Sequence, residues 1–290
     1  MHFRSLLFVP GNKESMLRKA MNFRPDALVP DMEDSVPDAE KANARNTIAA
    51  LLPDLAGTGI PVIPRVNALD TGWTADDLDA VVGPHIHGIS IGKVHVPDDI
   101  HRLSSLLNGL EAQTGLEAGR IKLFLWLESA RAMVHCYEIC SASPRIEGVA
   151  FGGEDFTHDM GIERLEDESE VAVARNLLCI AARAAEVQAL DTPYFRFRDE
   201  EGLRDNCAKA KQFGFKGKFA IHPAQIEAIN ESFSPSQAEI EYARRVVAAF
   251  EAAERVGRGS TSLDGKVIDV PVVKRARALL QLAEHTDSIS

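Results

Sequence analysis

The chain has 290 residues, of which 45% are hydrophobic and 26% are charged, and its formal net charge is −11. This composition excludes the disordered, collagen-like and coiled-coil classes, and the length allows one large core with or without a small appendage. Because 43 acidic residues outnumber 32 basic ones, the surface repels polyanions and no nucleic-acid partner is expected.

Two further features of the composition concern location and redox state. No run approaches the roughly 18 uninterrupted apolar residues of a membrane span, and the N-terminal segment lacks the apolar core of a signal peptide. The four cysteines form no CxxC pair. We therefore expect a soluble cytoplasmic protein with reduced thiols and no membrane partner.

Short apolar runs rich in Val, Ile, Leu and Phe alternate with helical patterns along the chain, which is typical of parallel strands covered on both faces. In chain order the runs are SLLFVPG (5–11), ALVPDMED (27–34), PVIPRVN (61–67), GISIGKV (88–94), IKLFLWLES (121–129), GVAFGGED (148–155), ALDTPY (189–194) and KFAIHP (218–223). Eight strand–helix units over about 230 residues predict a (β/α)8 TIM barrel.

The polar residues of these runs stand mostly at the C-terminal ends, where a barrel builds its active face. They are Glu33, Asp34, Arg65, Asn67, Lys93, Glu128, Glu154, Asp155 and His222. An open doubly wound sheet is the alternative α/β fold, but no GxGxxG fingerprint follows the first strand.

Beyond His222 the pattern changes to helices, and Ser236 with Glu239 predicts a capping box before a long helix. A Gly-rich break then precedes a lid-like hairpin at 257–271 and a terminal helix. We therefore expect a barrel domain over 1–233 and a C-terminal helical and lid extension over 234–290.

Glu128 and Asp155 are the candidate metal ligands. Each is expected at the end of a predicted strand, on neighbouring units, so a barrel would place both carboxylates at one rim. Mg²⁺ prefers one or two protein carboxylates and leaves the other positions to water and substrate. The alternative is that Glu128 caps the following helix and Asp155 accepts backbone N–H groups in a turn.

Arg65 is the candidate for binding a substrate carboxylate, since a guanidinium can donate two parallel hydrogen bonds to it. The alternative is an ion pair with Glu33 or Asp34, and the two roles are compatible. Near the first strand, Asn12, Lys13, Arg18 and Lys19 form a weak candidate phosphate site at a helix start.

Histidines are the remaining candidates. His85, His87, His95 and His101 cluster in sequence, but they lack a matching Glu or Cys for zinc, and the HxH is expected on the face of the barrel opposite the site. His222, at the end of the eighth strand, is as compatible with a structural role as with a site role.

Spaced motifs over nearly the whole chain carry a family resemblance: RSLLFVPGN, PDMEDSV, PRVNALDTG, LWLESARA, FGGEDFTHDMG, GFKGKFAIHPAQI and DGKVIDVP. In these motifs the chain resembles the HpcH/HpaI aldolase and citrate lyase β-subunit superfamily, in particular its citrate lyase β-like branch. The resemblance implies a TIM barrel, commonly a homo-oligomer (trimer or hexamer), that uses Mg²⁺, with Mn²⁺ as a substitute, to cleave 3-hydroxyacyl thioesters.

Carried over to this sequence, the resemblance implies Glu128 and Asp155 as metal ligands and Arg65 as the clamp on the keto-acid product. It also implies CoA contacts from Phe8 and Lys19. Asp269, in KVIDVP, is implied as an acid/base that reaches a neighbouring subunit's site; alternatively it only begins or caps the terminal helix.

One residue departs from the family pattern. The chain reads IGKV (91–94) where the family usually has Pro before the lysine, which puts the contact of Lys93 in doubt.

The implied function is a carbon–carbon lyase of the malyl-CoA or citramalyl-CoA type, which takes an acyl-CoA thioester and forms a 2-keto acid. The alternatives are the β subunit of a citrate lyase complex acting on a carrier-bound citryl thioester, a malyl-CoA-type thioesterase, and a non-catalytic barrel kept as a binding subunit. A non-catalytic barrel would be expected to have lost the acids at the strand ends, and this chain keeps them.

Overall fold

Eight parallel strands close into a barrel in a computed structural model that describes residues 1–287. The strands are β1 (Ser5–Pro10), β2 (Ala27–Asp31), β3 (Arg65–Val66), β4 (Gly88–Ile91), β5 (Lys122–Leu127), β6 (Ile146–Phe151), β7 (Gln188–Asp191) and β8 (Gly217–Ala220). Each strand pairs with its neighbour in sequence, and β8 pairs with β1. The predicted (β/α)8 barrel is confirmed, and closure excludes the open doubly wound sheet.

Helices connect the strands and cover the outside of the barrel. They are α1 (Glu14–Ala20), α2 (Lys41–Ala56), α3 (Thr74–Val81), α4 (Pro97–Thr114), α5 (Ala130–Val134), α6 (Cys136–Cys140), α7 (Gly153–Met160), α8 (Ala172–Ala184), α9 (Glu200–Phe213) and α10 (Ile226–Phe233). In residues 1–287, no helix is both long and apolar enough to cross a membrane.

Inward-facing apolar side chains fill the barrel. The interior includes Phe3, Leu6, Phe124, Trp126 and Phe219, each at most 4% exposed. The rings of Trp126 and Phe219 lie 4.4 Å apart. This interior is therefore a packed core rather than a channel, and substrate access is limited to the rim.

The third strand is much shorter than its apolar run predicts. The run covers 61–67, but only Arg65–Val66 pairs as a strand, with an isolated bridge between Leu28 and Val62. Pro61 and Pro64 have no N–H to donate to a ladder, which interrupts the pairing. Arg65 is still at the carboxyl end of the barrel, where it was expected.

A second compact unit begins at Glu231, after a first unit that spans Met1–Asn230. Its elements are α11 (Gln237–Glu254), β9 (Thr261–Leu263), β10 (Lys266–Ile268) and α12 (Val270–Asp287). The expected capping box is present: Ser236 Oγ accepts from Glu239 N, and the Glu239 carboxylate accepts from Ser236 N at 2.8 Å. The expected hairpin also forms, as β9 pairs with β10 in antiparallel.

Candidate active site

A cavity of about 450 Å³ opens at the carboxyl ends of the strands. Its wall includes four of the predicted site residues: Phe8, Arg65, Glu128 and Asp155. Lys19 is not among its lining residues. The barrel therefore brings together the predicted metal ligands, the predicted carboxylate clamp and one of the two predicted CoA contacts.

Glu128 directly follows β5 and is buried between two glycines. Its Oε1 accepts a hydrogen bond from Lys93 N at 2.7 Å. A Cβ on Gly92 would lie 2.8 Å from Oε1, and one on Gly152 would lie 2.2 Å from Oε2, so both positions leave space for this carboxylate. Burial, and next the negative charge of Asp155, raise the pKa of Glu128 to about 8.

The alternative reading of Glu128 as a helix cap is wrong. The helix α5 is capped by the next residue, since Ser129 Oγ accepts from Ala132 N at 3.1 Å. Ser129 is held in turn by His95, whose Nδ1 lies 2.8 Å from the hydroxyl oxygen. The carboxylate of Glu128 is therefore not needed at the helix start and remains in the cavity.

Asp155 was expected at the end of a strand. Instead it lies in the first turn of α7. The strand β6 ends at Phe151, and Gly152 is the N-cap of the helix. The glycine at 152 lets the start of the helix pass close to Glu128, since a Cβ there would lie 2.2 Å from Glu128 Oε2. The carboxylate still lines the same cavity.

Arg65 is held by three acids, of which one ends β2 and two follow it. Its Nε and Nη2 donate to both oxygens of Asp31 at 2.7 Å. Its Nη1 lies 3.0 Å from Glu33 Oε2 and 3.2 Å from Asp34 Oδ2. Burial alone would raise the pKa of Asp31, but the charge of Arg65 holds this pKa below its ordinary value. The buried acid therefore stays ionised.

Asp31 is the site residue that sequence reasoning missed. It is fully buried, and its side chain also accepts from Glu33 N at 2.9 Å and Ser35 N at 3.1 Å. The signal was present, because Asp31 is the first of three acids in PDMED. The sequence could not show which of those acids would accept the two parallel hydrogen bonds of the guanidinium.

Lys93 has a defined role despite the glycine before it. Its Nζ pairs with Glu33 Oε1 and lies 3.4 Å from Asp34 Oδ1. Its backbone is left-handed, with φ 56°, which aims its N–H at Glu128. Lys93 thus neutralises the β2 acids and orients Glu128 at the same time.

Charge balance around the cavity separates Glu128 and Asp155 from the other acids. Asp31, Glu33 and Asp34 pair with Arg65 or Lys93. Glu154 pairs with Arg164 at 3.0 Å. By contrast, neither Glu128 nor Asp155 forms an ion pair with any residue that the structure describes. Two facing carboxylates without a cationic partner are a fitting place for a cation.

The donor set has two protein carboxylates. Among residues 1–287, no group of three or more His, Cys, Asp or Glu side chains is placed to hold a metal ion. Such a set fits a hard cation that keeps several waters or substrate oxygens, as Mg²⁺ does.

Phe8 lies under Arg65 in the barrel interior. The guanidinium carbon of Arg65 is 4.5 Å from the Phe8 ring centroid, and Phe8 stacks on Phe219 at 5.1 Å. The ring therefore supports Arg65 from below through a cation–π contact. The predicted CoA contact of Phe8 is untested by this geometry.

Of the other candidate residues, Lys19 and His222 belong to the first unit and Asp269 belongs to the second. Lys19 is exposed on α1, and Arg18 beside it is bound to Glu14 and Asp54. Asp269 Oδ1 accepts from Val272 N at 3.2 Å at the start of α12, as the capping alternative expects. His222 stacks on Phe197 at 4.8 Å and lines a separate cavity of about 360 Å³.

The chain is similar to known proteins over nearly its whole length. The model of the HpcH/HpaI aldolase/citrate lyase family matches residues 4–223. The citrate lyase subunit beta of Leuconostoc mesenteroides subsp. cremoris is 38% identical over 280 residues, which cover 97% of this chain and 93% of the relative. A (3S)-malyl-CoA thioesterase of Cereibacter sphaeroides is 38% identical over 283 residues, or 97% and 95% of the two chains.

A solved structure is similar over the same extent. The Mycobacterium tuberculosis protein CitE, in complex with magnesium, acetoacetate and coenzyme A, superposes with a TM-score of 0.79. It is 27% identical in sequence, and the match covers 98% of each chain.

Proposed function

Because this chain belongs to the HpcH/HpaI aldolase/citrate lyase family, we propose that it is an Mg²⁺-dependent carbon–carbon lyase of the malyl-CoA or citramalyl-CoA type. It cleaves or forms a 3-hydroxyacyl-CoA, with an acyl-CoA and a 2-keto acid on the other side of the reaction. The observation that carries the proposal is the unpaired carboxylate pair, Glu128 and Asp155, beside the fixed guanidinium of Arg65.

Glu128 and Asp155 would hold the ion, with Mn²⁺ as a substitute. A bound Mg²⁺ supplies Lewis-acid polarisation of the oxygens of the keto-acid portion. Support comes from the two-carboxylate donor set and from CitE, whose solved complex contains magnesium.

Arg65 would bind the carboxylate of the keto-acid portion. Nε and one Nη2 hydrogen are committed to Asp31, and Nη1 faces Glu33 and Asp34. The second Nη2 hydrogen is left to donate to a substrate carboxylate while the acids keep the guanidinium in place. Its charge then offsets negative charge that develops in the cavity.

Cleavage requires two proton movements. The hydroxyl loses its proton to solvent water as the carbonyl of the keto acid forms, and the electron pair of the broken carbon–carbon bond passes to the carbon next to the thioester carbonyl, which gives an enolate. A proton then reaches that carbon to give the acyl-CoA. We assign this last step to Asp269, which acts as donor in cleavage and as base in condensation.

Two other activities share this site. A citrate lyase β subunit acts on a carrier-bound thioester, and a malyl-CoA-type thioesterase releases the thiol with water. Relatives of both names are 38% identical to this chain, so similarity does not separate them. The three activities differ in their products and in the partners they need.

The test is an assay of purified protein with malyl-CoA, β-methylmalyl-CoA and citramalyl-CoA, following 2-keto acid and free thiol separately. We expect keto acid and acyl-CoA in equal amounts, without free thiol and without added subunits. Free thiol without keto acid would indicate a thioesterase, which hydrolyses the thioester and leaves the carbon–carbon bond intact. Activity only with an added α subunit and acyl carrier would indicate a citrate lyase β subunit. A Glu128→Gln preparation controls for contaminating activity.

A further inference from the structure

Glu154 is an acid at the candidate metal centre that the proposed function does not use. It directly precedes Asp155 in the first turn of α7, and both line the cavity. A glutamate side chain has three rotatable bonds, and carboxylate oxygen is the ligand that Mg²⁺ prefers. Among the described residues, the side-chain partner of Glu154 is Arg164, whose Nε donates to Glu154 Oε1 at 3.0 Å.

Arg164 has little freedom to release Glu154. Its Nη1 donates to Glu170 at 2.5 Å and its Nη2 to Glu168 at 3.3 Å. The guanidinium also lies against the start of α7, since a Cβ on Gly153 would approach its carbon at 3.4 Å. Arg164 thus bridges the 168–170 turn to the helix that carries Asp155.

The turn is itself anchored by buried charges. Glu168 accepts from Arg175 at 2.6 Å, and Arg175 donates to Asp191 at 2.9 Å. Asp191 and Lys218 are paired at 2.5 Å and are both fully buried. Because removal of one partner leaves an uncompensated buried charge, this chain of ion pairs resists rearrangement.

The charges of this network balance without Glu154. Arg164, Arg175 and Lys218 are matched by Glu168, Glu170 and Asp191. Glu154 is an additional acid at the exposed end, where its side chain is 57% exposed. Its position therefore depends on Arg164, whereas that of Arg164 does not depend on Glu154.

We propose that Arg164 is a positioning residue that keeps Glu154 away from the metal, so that the centre has two protein carboxylates and keeps open positions for substrate. The inference rests on the proposed function. A third carboxylate would occupy a coordination position that the substrate needs and would reduce the ion's strength as a Lewis acid. Release of Glu154 is thus expected to strengthen metal binding and to weaken catalysis.

The experiment is a calorimetric titration of metal-stripped protein with MgCl2 for the wild type, Arg164→Met, Glu154→Gln and the double variant. We expect Arg164→Met to bind Mg²⁺ roughly tenfold more tightly, because a third carboxylate joins the ion. It should also lose roughly tenfold in kcat, as other residues that orient metal ligands do. Glu154→Gln should bind Mg²⁺ as the wild type does, and the double variant should return to the wild-type Kd.

Two results would overturn the role of Arg164 and leave the proposed metal centre standing. One is an unchanged Mg²⁺ Kd in Arg164→Met, and the other is a double variant that binds Mg²⁺ as tightly as Arg164→Met. Absence of Mg²⁺ binding by the wild type would overturn the proposed metal centre with it. If Arg164→Met does not fold, Arg164→Lys replaces it in the experiment. Because the lysine keeps one ion pair, the Mg²⁺ Kd should shift in the same direction by a smaller factor. Adding Glu154→Gln to this variant should return the Kd to the wild-type value.

Discussion

Arg65 is oriented by protein contacts before any substrate arrives. Asp31 accepts from two of its nitrogens at 2.7 Å, and the Phe8 ring lies under the guanidinium at 4.5 Å. Burial alone would lower the pKa of Arg65, but the negative charge of Asp31 raises it, so Arg65 is always charged. Such preorganisation allows the clamp to stabilise developing charge without reorganisation.

Replacement of Arg65 by Lys should remove most of the activity while the fold remains intact. An ammonium keeps the charge but cannot bind Asp31 through two parallel hydrogen bonds or stack on Phe8. We expect a loss of about 2–4 kcal/mol in transition-state stabilisation, or roughly 30- to 1000-fold in kcat/KM. The measurement is the steady-state rate of keto-acid formation.

Arg4→Lys is the matched control for this variant. Arg4 makes the same paired contact with Asp26, at 2.9 and 2.8 Å, but it stands before β1 at the opposite end of the barrel. Kinetics of Arg65→Lys that equal those of Arg4→Lys would make Arg65 a structural ion-pair partner only.

The elements explain why much of the site could be predicted. In a closed parallel barrel all carboxyl ends of strands meet at one rim, so Arg65 and Glu128 could be expected together although 63 positions separate them in the sequence. The short β3 could not be read from its apolar run alone. Whether a proline interrupts the pairing of a strand depends on the strands beside it. The pairing of Asp31 with Arg65 was also hidden, because side-chain partners among three adjacent acids depend on tertiary packing.

At the opposite end of the barrel, a buried ion pair ties α4 to β5 and β6. The Glu111 carboxylate accepts from Arg145 at 2.6 and 2.7 Å and from the backbone N–H groups of Gly119 and Ile121. Burial alone would raise the pKa of Glu111, but these contacts lower it from 4.5 to about 2. This position, away from the site, is expected to serve stability.

Glu111→Gln should therefore destabilise the protein in a pH-dependent way. The folded pKa lies below the unfolded one, so the stabilisation is complete above about pH 4.5 and is lost as the pH falls towards 2. We expect the free energy of unfolding to fall by about 3 kcal/mol at pH 7. Urea unfolding at pH 7 and pH 3 measures the difference, with Glu117→Gln on the exposed surface as control. An equal loss at both pH values would contradict this account.

At the scale of the whole molecule, the C-terminal unit carries the residue that completes the proposed mechanism. Within this unit Asp269 caps α12, and Ile268, Val246 and Phe250 belong to its own buried cluster. A capping carboxylate still has a second oxygen for proton transfer. We propose, as the family resemblance implies, that the protein is a homo-oligomer in which Asp269 serves a neighbouring subunit's site.

Mixed oligomers test this exchange. Asp269→Asn and Glu128→Gln, each inactive alone, are co-expressed and purified through two different tags. Closed symmetry repeats the exchange at every interface, so some sites in a mixed oligomer would combine an intact metal site with an intact Asp269. We expect a fraction of wild-type activity to return. Mixed oligomers that form and stay inactive would contradict the cross-subunit role.

The central claim is that cleavage depends on a cation held by Glu128 and Asp155. The most direct measurement is the rate of keto-acid formation by metal-stripped protein as MgCl2 is added, for the wild type, Glu128→Gln, Asp155→Asn and Glu154→Gln. The account predicts no turnover without metal, saturable recovery with Mg²⁺ for the wild type and Glu154→Gln, and none for the other two variants. Full turnover by the metal-stripped wild type, or recovery in Glu128→Gln equal to that of the wild type, would contradict it.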